Sequence, residues 1–224
     1  NHSEAWFALG RAYYDQNGRE NCEAEFEPYT RCIALDPKHV GAHNNLGNVL
    51  NDVRKDYDGA ERHYRKAIAL DPKLAVAHYN LGLLLKTVRK DYDDAEWHYR
   101  KAIDLDPSSA VAYSSLGILL KDVRKDYDGA EKLFRKAIEL DPSDAMAHNN
   151  LGWLLHDVRK DYDGAEKLYR KAIELDPSEA SAHTNLGRLI YDQKDYVKAE
   201  EMYRKAIELE PTCAHAHDNL GTLL

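Results

Sequence analysis

Between Ala145 and Pro177 the apolar positions fall at steps of three and four residues, twice over. Ala147, Leu151, Leu154, Leu155 and Val158 carry the first series. Tyr162, Ala165, Tyr169, Ala172, Ile173 and Leu175 carry the second. That spacing follows the turn of a helix, so the stretch predicts two amphipathic helices with Arg159-Lys160-Asp161 between them. Asp161 is placed to cap the second helix, and Asp163 adds negative charge to its first turn. Asp176-Pro177 ends that helix, because the residue before a proline avoids the α region. Ser178 is then expected to cap the helix that follows.

Much the same text stands on either side. Pro37, Pro72, Pro107, Pro142 and Pro177 are each 35 residues apart, and Pro211 comes 34 after Pro177. A fixed period in the range of roughly 20–50 residues marks a stack of supersecondary units, each resting on its neighbours. The expected units are 1–37, 38–72, 73–107, 108–142, 143–177 and 178–211, with a partial seventh at 212–224. The first unit departs most: Cys22 stands where the next unit has Tyr57, Glu25 replaces Ala60, and Pro28 falls inside the expected second helix. Proline is tolerated only in a first turn, so that helix either starts late, near Phe26, or is kinked. The last segment, Ala214 to Leu224, reads as a lone first helix covering the apolar face of the sixth unit. The missing initiating Met and the stop inside a seventh unit suggest a piece of a longer repeat protein, or an engineered array.

Gly10, Gly47, Gly82, Gly117, Gly152, Gly187 and Gly221 recur in the middle of first helices. Mid-helix glycine costs about 0.5–1 kcal/mol relative to alanine. The expected return is close approach of the two helices, with Ala60, Ala95, Ala130, Ala165 and Ala199 opposite. Tyr64, Tyr99, Phe134, Tyr169 and Tyr203 then fill the space between adjacent units.

A small residue, an aromatic or histidine, Leu-Gly, then Tyr, Ala, aromatic, Ala and Pro in that order resembles the tetratricopeptide repeat, over the whole chain. That family's usual unit is 34 residues; the four central units here hold one extra residue, in the stretch DVRKDYDGA between the helices. The resemblance implies an all-α right-handed superhelical solenoid that binds peptides along a concave surface of first helices. It also implies which residues face that surface. Asn45, Asn80, Asn150 and Asn185, with Ser115 interrupting, are similar to the asparagine ladder in the repeats of O-GlcNAc transferase. A side-chain amide carries donors and an acceptor, so it can hold a peptide backbone in either sense; the amides could equally link neighbouring helices. One turn on stand Arg11, Asn48, Leu83, Ile118, Trp153 and Arg188. Leu83, Ile118 and Trp153, with Tyr79, Val76, Val111 and Met146 nearby, suggest an apolar strip, and tryptophan is a common hot-spot residue. Asp15, Asp52, Asp122, Asp157 and Asp192 form a row near Arg54, Arg89, Arg124 and Arg159, read as a solvated face. Lys86 and Lys121 are candidates to hold an acidic ligand residue. The family's clamp for C-terminal carboxylates is absent, since Phe7, Asn44, Tyr79, Ser114, Asn149 and Thr184 occupy its first lysine position.

Charge and chemistry narrow the function further. The net charge of −8, from 31 Lys+Arg against 39 Asp+Glu, argues against a nucleic-acid surface, which needs cations to replace counterions. Three cysteines without a CxxC pair argue against a disulfide framework and for a reducing, intracellular compartment. No apolar run is long enough for a membrane helix, and no signal peptide opens the chain. His43, His78, His148, His183 and His217 recur at one position of five units. That is too far apart for the ~2 Å bonds of one metal site, so they read as packed or hydrogen-bonded. No catalytic set, phosphate loop, metal or cofactor is implied. The expected activity is a non-catalytic scaffold for a protein or peptide partner. Two alternatives stand beside it: the substrate-recruiting arm of a larger enzyme such as a protein glycosyltransferase, and a structural or engineered array that self-associates end to end.

Overall fold

The computed structural model describes residues 2–17 and 24–224, without the side chains of 14–17. Cys22 therefore lies outside the described residues, as does the side chain of Asp15. Thirteen α-helices and no strands form among those described: α1 (His2–Asn17), α2 (Phe26–Leu35), α3 (Val40–Asp52), α4 (Tyr57–Leu70), α5 (Ala75–Leu84), α6 (Tyr92–Leu105), α7 (Ala110–Leu119), α8 (Tyr127–Leu140), α9 (Ala145–Trp153), α10 (Tyr162–Leu175), α11 (Ala180–Asp192), α12 (Tyr196–Leu209) and α13 (Ala214–Leu223). They fall into two compact units, residues 1–112 and 113–224. In the first, each helix packs on the next from α1 to α6, and α3 also touches α5. In the second, the same holds from α8 to α13, with α9 on α11 and α11 on α13. First helices thus form an inner row within each unit, backed by second helices.

Second helices start where capping chemistry predicts. Asp56, Asp126 and Asp161 each accept a hydrogen bond at 2.9–3.0 Å from a glycine N–H three residues on. Asp91 and Asp195 do the same at 3.2 and 3.3 Å to Asp94 and Lys198. Ser178 does not cap. Its hydroxyl and backbone N–H both donate to Asp176 Oδ1 (2.6 and 2.9 Å), which closes the turn, and α11 starts two residues later with Glu179 at its N-cap.

In three of the four central units the extra residue lies within the first helix; in the unit 38–72 α3 ends at Asp52 and the extra residue stays in the turn after it. The last turns widen to π-helix at Leu85–Arg89, Leu120–Arg124 and Leu154–Arg159. One added residue in the last turn leaves the entry of the next helix in place. A lysine in the left-handed region then reverses the chain: Lys55, Lys90, Lys125, Lys160 and Lys194 have φ of +54 to +67°. The 34-residue unit reaches the same reversal without the π turn, Lys194 N–H bonding Tyr191 O at 2.8 Å.

Most of the recurring glycines make room for a ring, and Gly82 for both a ring and the facing helix backbone, a Cβ there standing 3.1 Å from the Tyr99 ring and 3.2 Å from Ala95 O. A Cβ on Gly47, Gly117, Gly152 or Gly187 would stand 2.6–2.8 Å from the aromatic ring of the second helix in the same hairpin. These are Tyr64, Phe134, Tyr169 and Tyr203, each at most 2% exposed. Tyr169 also packs in one cluster with Leu186, Leu189 and Ile190 of the following hairpin, so the ring serves both contacts. In the first hairpin Pro28 is buried in the first turn of α2, which starts late, at Phe26.

Arginines at the ends of first helices tie hairpins together. Arg89 bonds Glu61 at 2.8 Å and pairs with Asp58; Arg159 bonds Glu131 at 2.9 Å and pairs with Asp128. The aspartate row has different partners: Lys121 for Asp122, Arg188 for Asp157 and His156 for Asp192. Neither row is a purely solvated face.

Candidate functional site

The inner row of the first unit encloses a cavity of about 560 Å³. Asn45, Asn48, Tyr79, Asn80 and Leu83, all expected from the sequence to face a ligand, line it together. Arg11, Val76 and Val111 line it too, as do Tyr29, Asn44, Asn51, Asp52 and Tyr64. Val76 and Val111 are 47% and 51% exposed. The helical spacing brings these groups to one face, three and four residues apart on α3 and α5.

The amides are tied into the stack. Asn45 Nδ2 donates to Tyr29 Oη at 3.2 Å. Asn80 Nδ2 donates to Asn44 Oδ1 at 3.1 Å and to Asn48 Oδ1 at 3.0 Å, joining α5 to α3. Tyr64 Oη donates to Asn48 Oδ1 at 2.9 Å. Asn44, singled out in the sequence only as a position where a clamp lysine is missing, is the joint of this network. It donates to Asn45 Oδ1 at 3.1 Å while receiving Asn80. The doubled Asn-Asn of AHNNLG was the available signal.

In the second unit the same positions are arranged differently. Asn185 Nδ2 donates to Asn149 Oδ1 at 3.0 Å, and Asn149 donates in turn to Ser181 Oγ at 2.9 Å. Asn150 donates to Met146 O at 2.9 Å and accepts from Lys121 Nζ at 2.7 Å. Lys121 also lies 5.0 Å from the centre of the Trp153 ring, and the Tyr127 ring lies 6.1 Å from it. Trp153 is therefore half-buried under a cation, and Ile118 is half-buried as well. Arg188 is held by Asp157. Lys86, the remaining sequence candidate, is partly exposed on the π turn after α5.

Where α5 offers Leu83 and α9 offers Trp153, the tyrosine of the paired helix loses the partner that Asn48 gives Tyr64. The hydroxyls of Tyr99 and Tyr169 are buried without a hydrogen bond among the described residues. Burial raises the pKa of both phenols.

The histidines bind backbone. His43, His78, His148, His183 and His217 each turn Nε2 to the carbonyl of the proline six residues before, at 2.9–3.3 Å. That contact puts the proton on Nε2 and leaves Nδ1 bare. In the first unit Nδ1 of His43 and of His78 meets a second imidazole, His63 at 2.9 Å and His98 at 3.0 Å. Among the described residues no group of three or more His, Cys, Asp or Glu side chains is placed to hold a metal ion. Cys32 is buried, and burial, with Glu4 and Asp36 adding to it, pushes its thiol up to about 11. No helix among the described residues is long and apolar enough to cross a membrane.

Comparison with known proteins agrees with this architecture. Tetratricopeptide-repeat models match residues 54–88, 115–180 and 158–212, together more than half of the chain. A Sel1-repeat model matches residues 73–107. The chain belongs to the tetratricopeptide-repeat family. No curated protein matches it. Among solved structures it is similar to YrrB, described as a tetratricopeptide-repeat protein with an unusual peptide-binding site. The identity is 26%, with 85% of this chain and 96% of YrrB covered and a TM-score of 0.64. PilF of Pseudomonas aeruginosa shares the fold at 22% identity, covering 98% and 97% of the two chains with a TM-score of 0.82. The Cut9 structure, solved with Hcn1, shares it at 19% identity, with 99% of this chain, 42% of that one and a TM-score of 0.85. Proteins of this family are in general protein-interaction scaffolds.

Proposed function

We propose that the chain is a non-catalytic scaffold that lays an extended segment of a protein partner along its first-helix face. One observation carries the reading: five residues that the sequence assigns to ligand contact converge on one cavity of about 560 Å³. That cavity has apolar walls from α5 and Val111, and amides from α3 and α5. Binding sites are typically concave and apolar with a few placed polar groups. In the second unit Asn150, Trp153, Asn185 and Arg188 supply a further stretch of contact, with Trp153 as the apolar anchor. The repeat boundaries follow from the prolines, five of which (Pro37, Pro72, Pro142, Pro177 and Pro211) give their carbonyl to a histidine of the first helix after them.

A random-peptide display selection tests this. The wild type is run beside a variant with Asn45, Asn80, Asn150 and Asn185 changed to Ala, both checked for helicity and melting. The expected result is enrichment on the wild type and loss on the variant. Trp153→Ala should weaken the recovered peptides by about 2 kcal/mol, the size of an interface hot spot. A wild type that enriches nothing overturns the reading.

A further inference from the structure

The amides around the first-unit cavity do not offer donors and acceptors indifferently. Both N–H bonds of Asn80 are spent, on Asn44 and on Asn48. The oxygen of Asn48 receives two donors, Tyr64 Oη and Asn80 Nδ2. A primary amide has two N–H groups and one oxygen. What remains is the NH₂ of Asn48 and the oxygen of Asn80, and neither has a hydrogen-bond partner among the described residues. The two side chains are bonded to each other at 3.0 Å and both are partly exposed at the cavity. One offers only donors there and the other only an acceptor. The Asn48 position holds Arg11, Leu83, Ile118, Trp153 and Arg188 in the other repeats, so this pairing occurs once in the chain.

In an extended chain the N–H and C=O of one residue point to the same side. We propose that Asn48 and Asn80 read the direction of the bound segment. The C=O of one partner residue accepts from Asn48 Nδ2, and the N–H of that residue donates to Asn80 Oδ1. Reversing the chain puts donor against donor and acceptor against acceptor. The flanks select the side chains. Val76, Tyr79, Leu83 and Val111, from α5 and α7, give an apolar wall. Arg11, Glu25 and Asp52 also line the cavity. The occupant is thus an extended segment with an aliphatic residue against the apolar wall. This inference rests on the peptide-groove reading above.

The probe is the strongest 12-residue peptide recovered by display on the full chain, resynthesised with capped ends. Asn48→Asp keeps the oxygen that Tyr64 and Asn80 need and removes only the NH₂. On a recovered peptide of positive net charge the added negative charge would tighten binding, so a loss of affinity there has one meaning. We expect the variant to melt like the wild type and to bind at least tenfold more weakly. Replacing one backbone amide of the peptide by an ester, position by position, should find a single N–H whose loss costs as much. The peptide of reversed sequence should bind at least tenfold more weakly than the parent. A parent peptide that binds Asn48→Asp within twofold, or binds equally in both directions, overturns the inference and leaves the groove reading standing. A wild type that recovers no peptide removes the groove reading, and the inference falls with it.

Discussion

Tyr64 and Tyr99 occupy equivalent positions with opposite outcomes for one atom. The Tyr64 hydroxyl bonds Asn48 at 2.9 Å; the Tyr99 hydroxyl is buried with no partner among the described residues. The cause lies 16 residues earlier, where Asn48 gives way to Leu83. Tyr169 is orphaned in the same way by Trp153, while Phe134 follows Ile118 and has no hydroxyl to orphan. A buried unsatisfied hydroxyl costs about 1–3 kcal/mol. Tyr99→Phe and Tyr169→Phe should therefore raise stability by about 1 kcal/mol each, and Tyr64→Phe should lower it by about as much. Urea unfolding of the three variants tests this; equal effects at the three sites would refute it. The amide residues were visible in the sequence, but their roles were not. A run of Asn-Asn does not say which oxygen faces which N–H, because partners such as Asn44 and Asn80 are 36 residues apart.

Helices in this chain meet through a glycine and a ring. A Cβ on Gly152 would lie 2.8 Å from the Tyr169 ring, while one on Gly221, at the same place in α13, would meet nothing within 4 Å. Gly152→Ala should destabilise by about 1–3 kcal/mol, the usual cost of overpacking. Gly221→Ala should stabilise slightly, by about 0.5–1 kcal/mol, since only the entropy of mid-helix glycine is at stake. Thermal melts of both variants decide it, and a loss at Gly221 as large as at Gly152 would sink the ring-seat account. The existence and pairing of the helices followed from periodicity and capping. The π turns did not. A sequence shows that a unit is one residue longer; only the competition between the helix end and the next helix's entry shows where that residue goes.

At the scale of the molecule the two units differ in their histidines. Burial, then the neighbouring imidazole, presses His63 and His98 from 6.5 down to about 4. Arg62 and Arg65 reinforce this, while Asp56 and Asp94 oppose it. His43 and His78 are lowered too, chiefly by burial and against their proline contacts. A lowered histidine binds its proton more weakly when folded. Stability from these pairs is complete above pH 6.5 and is lost as pH falls from there towards 4. His98, 8% exposed, should contribute a loss on the order of 3 kcal/mol across that window. The positions of His63 and His98 hold Leu133, Leu168 and Met202 in later repeats. Hydrogen exchange at pH 5 against pH 7 should therefore show α3–α6 losing protection before α8–α12. The double variant His78→Tyr, His98→Leu, which copies Tyr113 and Leu133, should shrink the response to that of the His43–His63 pair. Uniform loss across both units would contradict it.

Periodicity, caps and prolines carry the repeat, the helices and the family, because each depends on residues within about one turn of one another. They also carry the inner face, since helical spacing decides which side chains share it. The tertiary structure decided the rest: that glycine meets a ring, that the aspartate row meets Lys121, Arg188 and His156, that Asn48 keeps its NH₂, and that two imidazoles meet at Nδ1. Each of these depends on which residue of a neighbouring helix arrives within about 3 Å. Local pattern brings helices side by side; it does not set hydrogen-bond partners at that distance.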